Sequence, residues 1–145
     1  MKAVIQRVTN ATLRVDGERI SEIGAGLVVF LGIAPQDTEE TAGVMARKIV
    51  NMRIFSDANG KMNLSVLSTG GSILLVSQFT LFGDCAHGNR PSFTGAAAPD
   101  RADALYRKTA EKIAEHGVCV RLGVFGADMK IEQNNDGPVT IVYEC

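Results

Sequence analysis

The run Leu27-Val28-Val29-Phe30-Leu31-Gly32-Ile33-Ala34 restricts this 145-residue chain more than any other stretch. A strand with one wet face alternates polar and apolar positions, and this run has no polar side chain at all. It is also far short of the roughly 20 residues needed to cross a bilayer. The reading is a central strand buried on both faces, so the rest of the chain must cover two sides of a sheet. With 46% apolar and 21% charged residues, a single domain over residues 1–145 has the material to do so.

Strand patterns surround that run. Val4, Gln6 and Val8 alternate with Ile5 and Arg7, Thr12-Leu13-Arg14-Val15 follows, and Asp16-Gly17 is a hairpin signal. Ser72 to Val76, Val118 to Leu122, Met129 to Glu132 and Val139 to Tyr143 are strand-like as well. Asn135-Asp136-Gly137-Pro138 predicts a tight turn before the last of them. Two helices are predicted. The first opens near Asp37 or Thr38, with Asp37 and Glu40 at capping-box spacing, and turns Ala42, Met45, Ala46 and Ile49 inward. The second opens at Pro99-Asp100 and carries Ala102, Leu105, Tyr106, Thr109 and Ile113 on one side. It closes at His116-Gly117. Two helices are too few to cover both faces of an all-parallel sheet of this many strands. The predicted class is α+β, a mostly antiparallel or mixed sheet with two main helices packed on it.

Charge and cysteine content narrow the function. Fifteen basic and sixteen acidic side chains leave a net charge of −1, and coating a duplex needs a basic protein. No DNA partner is expected, although a local contact with a nucleic-acid end is compatible with this balance. Three cysteines with no CxxC pair argue for reduced thiols. Met1 to Arg7 becomes polar too early for a signal peptide, so a cytoplasmic location and no membrane partner are expected.

The chemistry is limited by what is missing. There is no phosphate-binding GxxxxGK[ST], no GxGxxG after a strand and no cluster of zinc ligands, so neither metal nor cofactor is expected. Of two histidines, His116 belongs to a helix end and only His87 is free to act as a base; Cys85 lies two residues away but nothing orients the pair. Three segments invite a functional reading. Ser77-Gln78-Phe79-Thr80-Leu81 follows a buried strand and offers hydroxyls, an amide and free N–H groups suited to an oxyanion. Ordinary strand-end hydrogen bonding explains the same composition. Gly88-Asn89-Arg90-Pro91-Ser92-Phe93 lies in a long loop, where an Arg beside an aromatic suits a phosphate or a base, or is simply solvated. Asn135-Asp136-Gly137-Pro138-Val139-Thr140 is the third.

The order S-Q-F-T-L, G-N-R-P-S-F, N-D-G-P-V-T resembles the D-aminoacyl-tRNA deacylases of the D-Tyr-tRNA deacylase type. The similarity runs through the whole chain, including M-K-A-V-I-Q-R-V at the start, R-I-F-S-D-A-N-G-K-M-N-L over Arg53–Leu64 and F-G-A-D-M over Phe125–Met129. It implies a barrel-like sheet, a homodimer, and hydrolysis of the ester joining a D-amino acid to the 3′ end of tRNA. It also implies cleavage of glycyl-tRNA, including glycine mischarged on alanine tRNA, with L-aminoacyl-tRNA rejected. The acceptor end of tRNA carrying a D-amino acid or glycine is the implied partner.

On the same resemblance, Ser77, Gln78, Phe79 and Thr80 hold the aminoacyl group, with backbone N–H groups of Phe79 and Thr80 as oxyanion donors. Gly137-Pro138 is implied to be a cis peptide entering the pocket of the other subunit and checking handedness there. Phe125 and Met129, with Arg90 and Pro91, are implied to line the adenosine end of the pocket. The 2′-hydroxyl of the substrate is implied to help the attacking water, which accounts for the lack of a protein base. Three alternatives stay open on the residues alone: Thr80 as nucleophile, a non-catalytic RNA 3′-end binder using Arg90 and Phe93, and a small-molecule esterase using Cys85 and His87.

Overall fold

Strand β1, Lys2–Val15, is the spine of the fold. The computed structural model describes all of residues 1–145. Strand β8, Lys130–Glu144, runs antiparallel along one side of β1 from Lys2↔Glu144 to Arg14↔Lys130. The other side is divided between β3, Gly26–Gly32, alongside residues 2–8, and β2, Glu18–Ile23, alongside residues 11–15. Two parallel pairings then extend the sheet, β3 with β6, Ser72–Ser77, and β6 with β7, Cys119–Leu122. The sheet curls until β2 and β7 approach each other, where Ser21 Oγ donates to the Leu122 carbonyl at 2.6 Å. The result is a mixed, nearly closed barrel.

Parallel neighbours need a crossover, and the two predicted helices are those crossovers. Helix α1, Glu39–Asn51, lies between β3 and β6, and α3, Pro99–Glu115, between β6 and β7. They pack side by side on one face of the sheet. The first crossover also holds a small hairpin, β4 (Phe55–Ser56) with β5 (Met62–Leu64), and a single turn α2, Val66–Thr69, none of which the sequence patterns announced.

The run at 27–34 is buried on both sides, as read. Leu27, Val29 and Leu31 join Met45, Ile49, Tyr106 and Ile113 in the main core, while Val28 joins Val8, Leu13, Leu74 and Val76 in a second one. Each fully buried aliphatic side chain contributes about 1.5–3 kcal/mol, so the double burial fixes this strand at the centre.

Two local expectations are corrected. Helix α1 is capped by Thr38 with Thr41, each hydroxyl accepting from the other's N–H at 3.3 Å, and not by Asp37 with Glu40. Asp37 is occupied elsewhere: it is buried, its Oδ1 accepts from the Met1 ammonium at 2.8 Å and its Oδ2 from Ala34 N–H at 2.6 Å. The turn expected before the last strand is instead a bulge within β8. Two steps along β1, Gln6 to Val8, face five along β8, Thr140 to Asn135, so three residues of β8 loop out. Gly137 lies in that bulge at φ +119°, a region glycine enters freely, and Gly137-Pro138 is cis. Buried Arg7 holds the bulge down, with Nε 3.0 Å from Asp136 Oδ2 and Nη1 donating to the Ile54 carbonyl at 2.5 Å.

Two predictions concern stability. Asp37→Ala leaves the Met1 ammonium buried without its carboxylate, and an expected loss of about 3–5 kcal/mol is read by denaturant titration at neutral pH. Tyr106 is 1% exposed, and its hydroxyl donates to the Leu75 carbonyl at 2.7 Å. Burial pushes its pKa up to about 12. The folded chain therefore keeps this proton after the unfolded chain has lost it near pH 10. Stability is complete below pH 10 and falls between there and 12, by about 2 kcal/mol from this group. Tyr106→Phe is expected to be less stable at pH 7 by about 1 kcal/mol but to show a shallower alkaline decline. Thermal melts across pH 8–12 measure both.

Candidate active site

Strands β3 and β6 run parallel and finish together, and the chain leaves them in different directions. Between their carboxyl ends lies a cavity of about 610 Å³. One wall is Ser77, Gln78 and Phe79 with Leu31, Ile33 and Val76; another is the 125–129 loop with Ile131 of β8; the third is Phe93, Ala96, Ala97, Pro99 and Ala102. Most of this lining is apolar, which suits a cavity that excludes water from a reacting ester.

The polar part is main chain together with Ser77, Gln78 and Asp128, whose carboxylate pairs with Lys130 at 3.0 Å. Gln78 N–H donates to the Leu31 carbonyl at 2.8 Å and extends the β3–β6 ladder by one bond. A 3₁₀ turn, Phe79–Phe82, then begins with no side-chain cap, so the N–H groups of Phe79 and Thr80 have no partner within the chain. They form a pair of unspent donors at the cavity edge, the arrangement that stabilises a developing oxyanion. Thr80 is exposed and its hydroxyl accepts from Gln78 Nε2. Cys85 and His87 are exposed in the following loop, and no group of three His, Cys, Asp or Glu side chains converges anywhere to hold a metal.

The opposite wall is fixed from behind. The Phe125 ring lies 6.2 Å from that of Tyr106, and the Leu75 carbonyl that accepts from Tyr106 also accepts from Gly123 N–H at 3.0 Å. Gly123 leaves room for Met129, whose Sδ would lie 2.7 Å from a Cβ there. At the mouth, Phe79 meets Phe93 edge to face with ring centroids 5.1 Å apart.

The fold therefore brings Ser77, Gln78, Phe79, Phe125 and Met129 around one cavity, with Thr80 beside it. Arg90 and Pro91 are exposed in the 84–92 loop and do not line it. Gly137 and Pro138 are exposed on the β8 bulge and do not line the cavity of their own chain. Sequence reading missed Ala96, Ala97 and Ala102, whose small side chains leave the cavity its width, and it missed Gly32. A Cβ on Gly32 would lie 2.9 Å from the Phe82 ring and 3.0 Å from the Gln78 carbonyl, so the 78–80 turn sits directly on that glycine. A glycine inside an otherwise apolar strand run was the available signal.

Comparison with known proteins supplies the family. The family model for D-Tyr-tRNA(Tyr) deacylase matches residues 4–144. A D-aminoacyl-tRNA deacylase from Bacillus velezensis is 51% identical over 99% of this chain and 98% of its own length. One from Fervidobacterium nodosum is 49% identical over 99% and 97%. A solved structure described as c-Myc DNA Unwinding Element Binding Protein superposes with a TM-score of 0.92 at 43% identity, covering 100% of this chain and 99% of that one. Another, described as a probable eukaryotic D-amino acid tRNA deacylase, shares the fold, with a TM-score of 0.85 at 18% identity over 98% and 97%. The fold, the site and these relatives define a hydrolase acting on the ester bond of aminoacyl-tRNA. Within that class the chain belongs to the D-aminoacyl-tRNA deacylase family, whose work is the editing of D-aminoacyl-tRNA.

Gly32→Ala tests the role of the 78–80 turn. The added methyl crowds the Phe82 ring edge at 2.9 Å and the Gln78 carbonyl at 3.0 Å, so the turn must give by a few tenths of an ångström. Since a misplacement of about 1 Å costs up to about 100-fold in rate, a several-fold fall in kcat with an unchanged circular dichroism spectrum is expected.

Proposed function

We propose that this protein releases D-amino acids and glycine from tRNA and spares L-aminoacyl-tRNA, using main-chain atoms of two copies of the chain. The observation that carries the reading is the pair of uncapped N–H groups at Phe79 and Thr80 beside an apolar cavity. An aminoacyl ester is already activated, and a neighbouring ribose hydroxyl is available on the substrate. Water attacks the ester carbonyl carbon while its proton is drawn toward the 2′-oxygen. The oxyanion is met by the Phe79 and Thr80 N–H groups. The bond to the 3′-oxygen breaks, and the 2′-hydroxyl returns a proton to that oxygen. One oxyanion donor of this kind is worth about 2.7–4 kcal/mol.

Handedness needs a different device. A side-chain pocket separates substrates differing by a methylene by only about 1–3 kcal/mol, and the enzyme must still admit many side chains. Rejection at Cα solves both problems, because a wall placed where an L side chain projects leaves the D direction open. Gly137-Pro138 of a second copy suits that wall: it is exposed, small, and anchored through Asp136 to Arg7. Glycine has nothing for the wall to strike, so glycyl esters, including glycine on alanine tRNA, are cleaved by the same geometry. A homodimer is consistent with β8, which pairs only with β1 and leaves its outer edge unpaired, and with Val142, 74% exposed on that strand.

The test is release of labelled amino acid from tRNA charged with the D or the L form. Rapid D release and negligible L release are expected, and equal rates would remove the wall. Thr80→Ala is expected to keep most of the D activity, since the donor is the backbone N–H. Complete loss with the fold intact would make the Thr80 hydroxyl the nucleophile.

A further inference from the structure

We propose that the Asp84–Ser92 loop grips the RNA strand just upstream of the terminal nucleotide, with Arg90 holding a backbone phosphate. This rests on the deacylase reading above and extends it to how tRNA, rather than its aminoacyl end, is recognised.

The loop is pinned immediately before a residue that lines the cavity. Two backbone bonds close its base, Asp84 N–H to the Ser92 carbonyl at 2.8 Å and Ser92 N–H to the Asp84 carbonyl at 2.9 Å. Phe93 follows directly, lines the cavity and meets Phe79. The loop's one carboxylate is engaged within its own turn, Asp84 Oδ1 accepting from Ala86 N–H at 2.8 Å. Every residue from Asp84 to Ser92 is exposed.

Charge accounting singles out Arg90. Of the 15 Lys and Arg side chains, all but Arg47, Lys61, Arg90 and Arg121 have a carboxylate, a carbonyl or an aromatic ring as partner. Among those four, Arg121 also precedes a cavity wall, at 125–129, but it lines a separate cleft with Arg19, Ile20 and Glu22, whereas Arg90 stands three residues before the cavity-lining Phe93. An unpartnered guanidinium three residues before the cavity-lining Phe93 would meet the next phosphate of a single strand whose terminal nucleoside occupies that cavity. A chain of net charge −1 tracks few phosphates, so one placed contact is what the charge permits.

The experiment uses the full-length protein. Kinetics of wild type, Arg90→Ala and Arg90→Lys are measured on D-aminoacyl-tRNA and on D-aminoacyl-adenosine, which ends at the terminal nucleoside. Arg90→Ala is expected to raise KM for the tRNA substrate about tenfold with kcat little changed, and to lose less than about twofold on the adenosine ester. Arg90→Lys is expected to recover most of the tRNA activity, because a phosphate accepts either cation. In parallel, affinity for uncharged tRNA is followed against salt, where Arg90→Ala should flatten the log–log slope by about 0.7. Equal losses on both substrates, no loss on either, or an unchanged slope would overturn the proposal. The slope needs no catalysis, so it judges the loop even if wild type hydrolyses neither ester, an outcome that would sink the deacylase reading instead.

Discussion

The parallel pairing of β3 with β6 is the constraint from which the rest follows. Parallel strands cannot be joined by a short turn, so the chain travels through α1 and back, and then through α3 to place β7. Both journeys deposit a helix on the same face and bury Tyr106, Ile113, Met45 and Ile49 against Leu27, Val29 and Leu31. Parallel strands also end at the same level. The chain must turn away sharply after Gly32 and after Ser77, and the gap between those exits is the cavity. Part of its polar lining is backbone, because a strand end has spare N–H groups whatever side chains it carries.

On the proposed reading, a chain with two histidines would do hydrolytic work without a side-chain base. The site would use main-chain donors at Phe79 and Thr80, in a turn held by one extra ladder bond from Gln78 to Leu31. Such donors need no particular pKa and survive any substitution at their own position except proline, which has no N–H. They would be disturbed by moving the backbone, and Gly32 lies directly beneath that turn.

Much of the fold was legible in the sequence where periodicity and burial agree. The run at 27–34, the helix faces around Met45 and Tyr106 and the α+β class all follow from local pattern. What stayed hidden was decided at long range. Asp37 has the spacing of a helix cap, yet the ammonium of Met1 competes for it and wins, since a buried cation has no cheaper partner. Gly137-Pro138 is written like a turn, yet β1 is long enough to hold both flanks of β8 in one ladder and forces the extra residues outward. Of the site, the S-Q-F-T-L and F-G-A-D-M segments could be read, but only folding shows that they face one another while Arg90 stands apart. The alanines and Gly32 were silent because their contribution is empty space, which composition does not advertise.

The carbonyl of Leu75 receives both the Tyr106 hydroxyl and the Gly123 amide. One oxygen thus rivets the long helix and the loop bearing Phe125 to the strand that leads into the oxyanion turn. A change that loosens that helix therefore disturbs a wall of the cavity along with the hydrophobic interior, because both hang from the same acceptor.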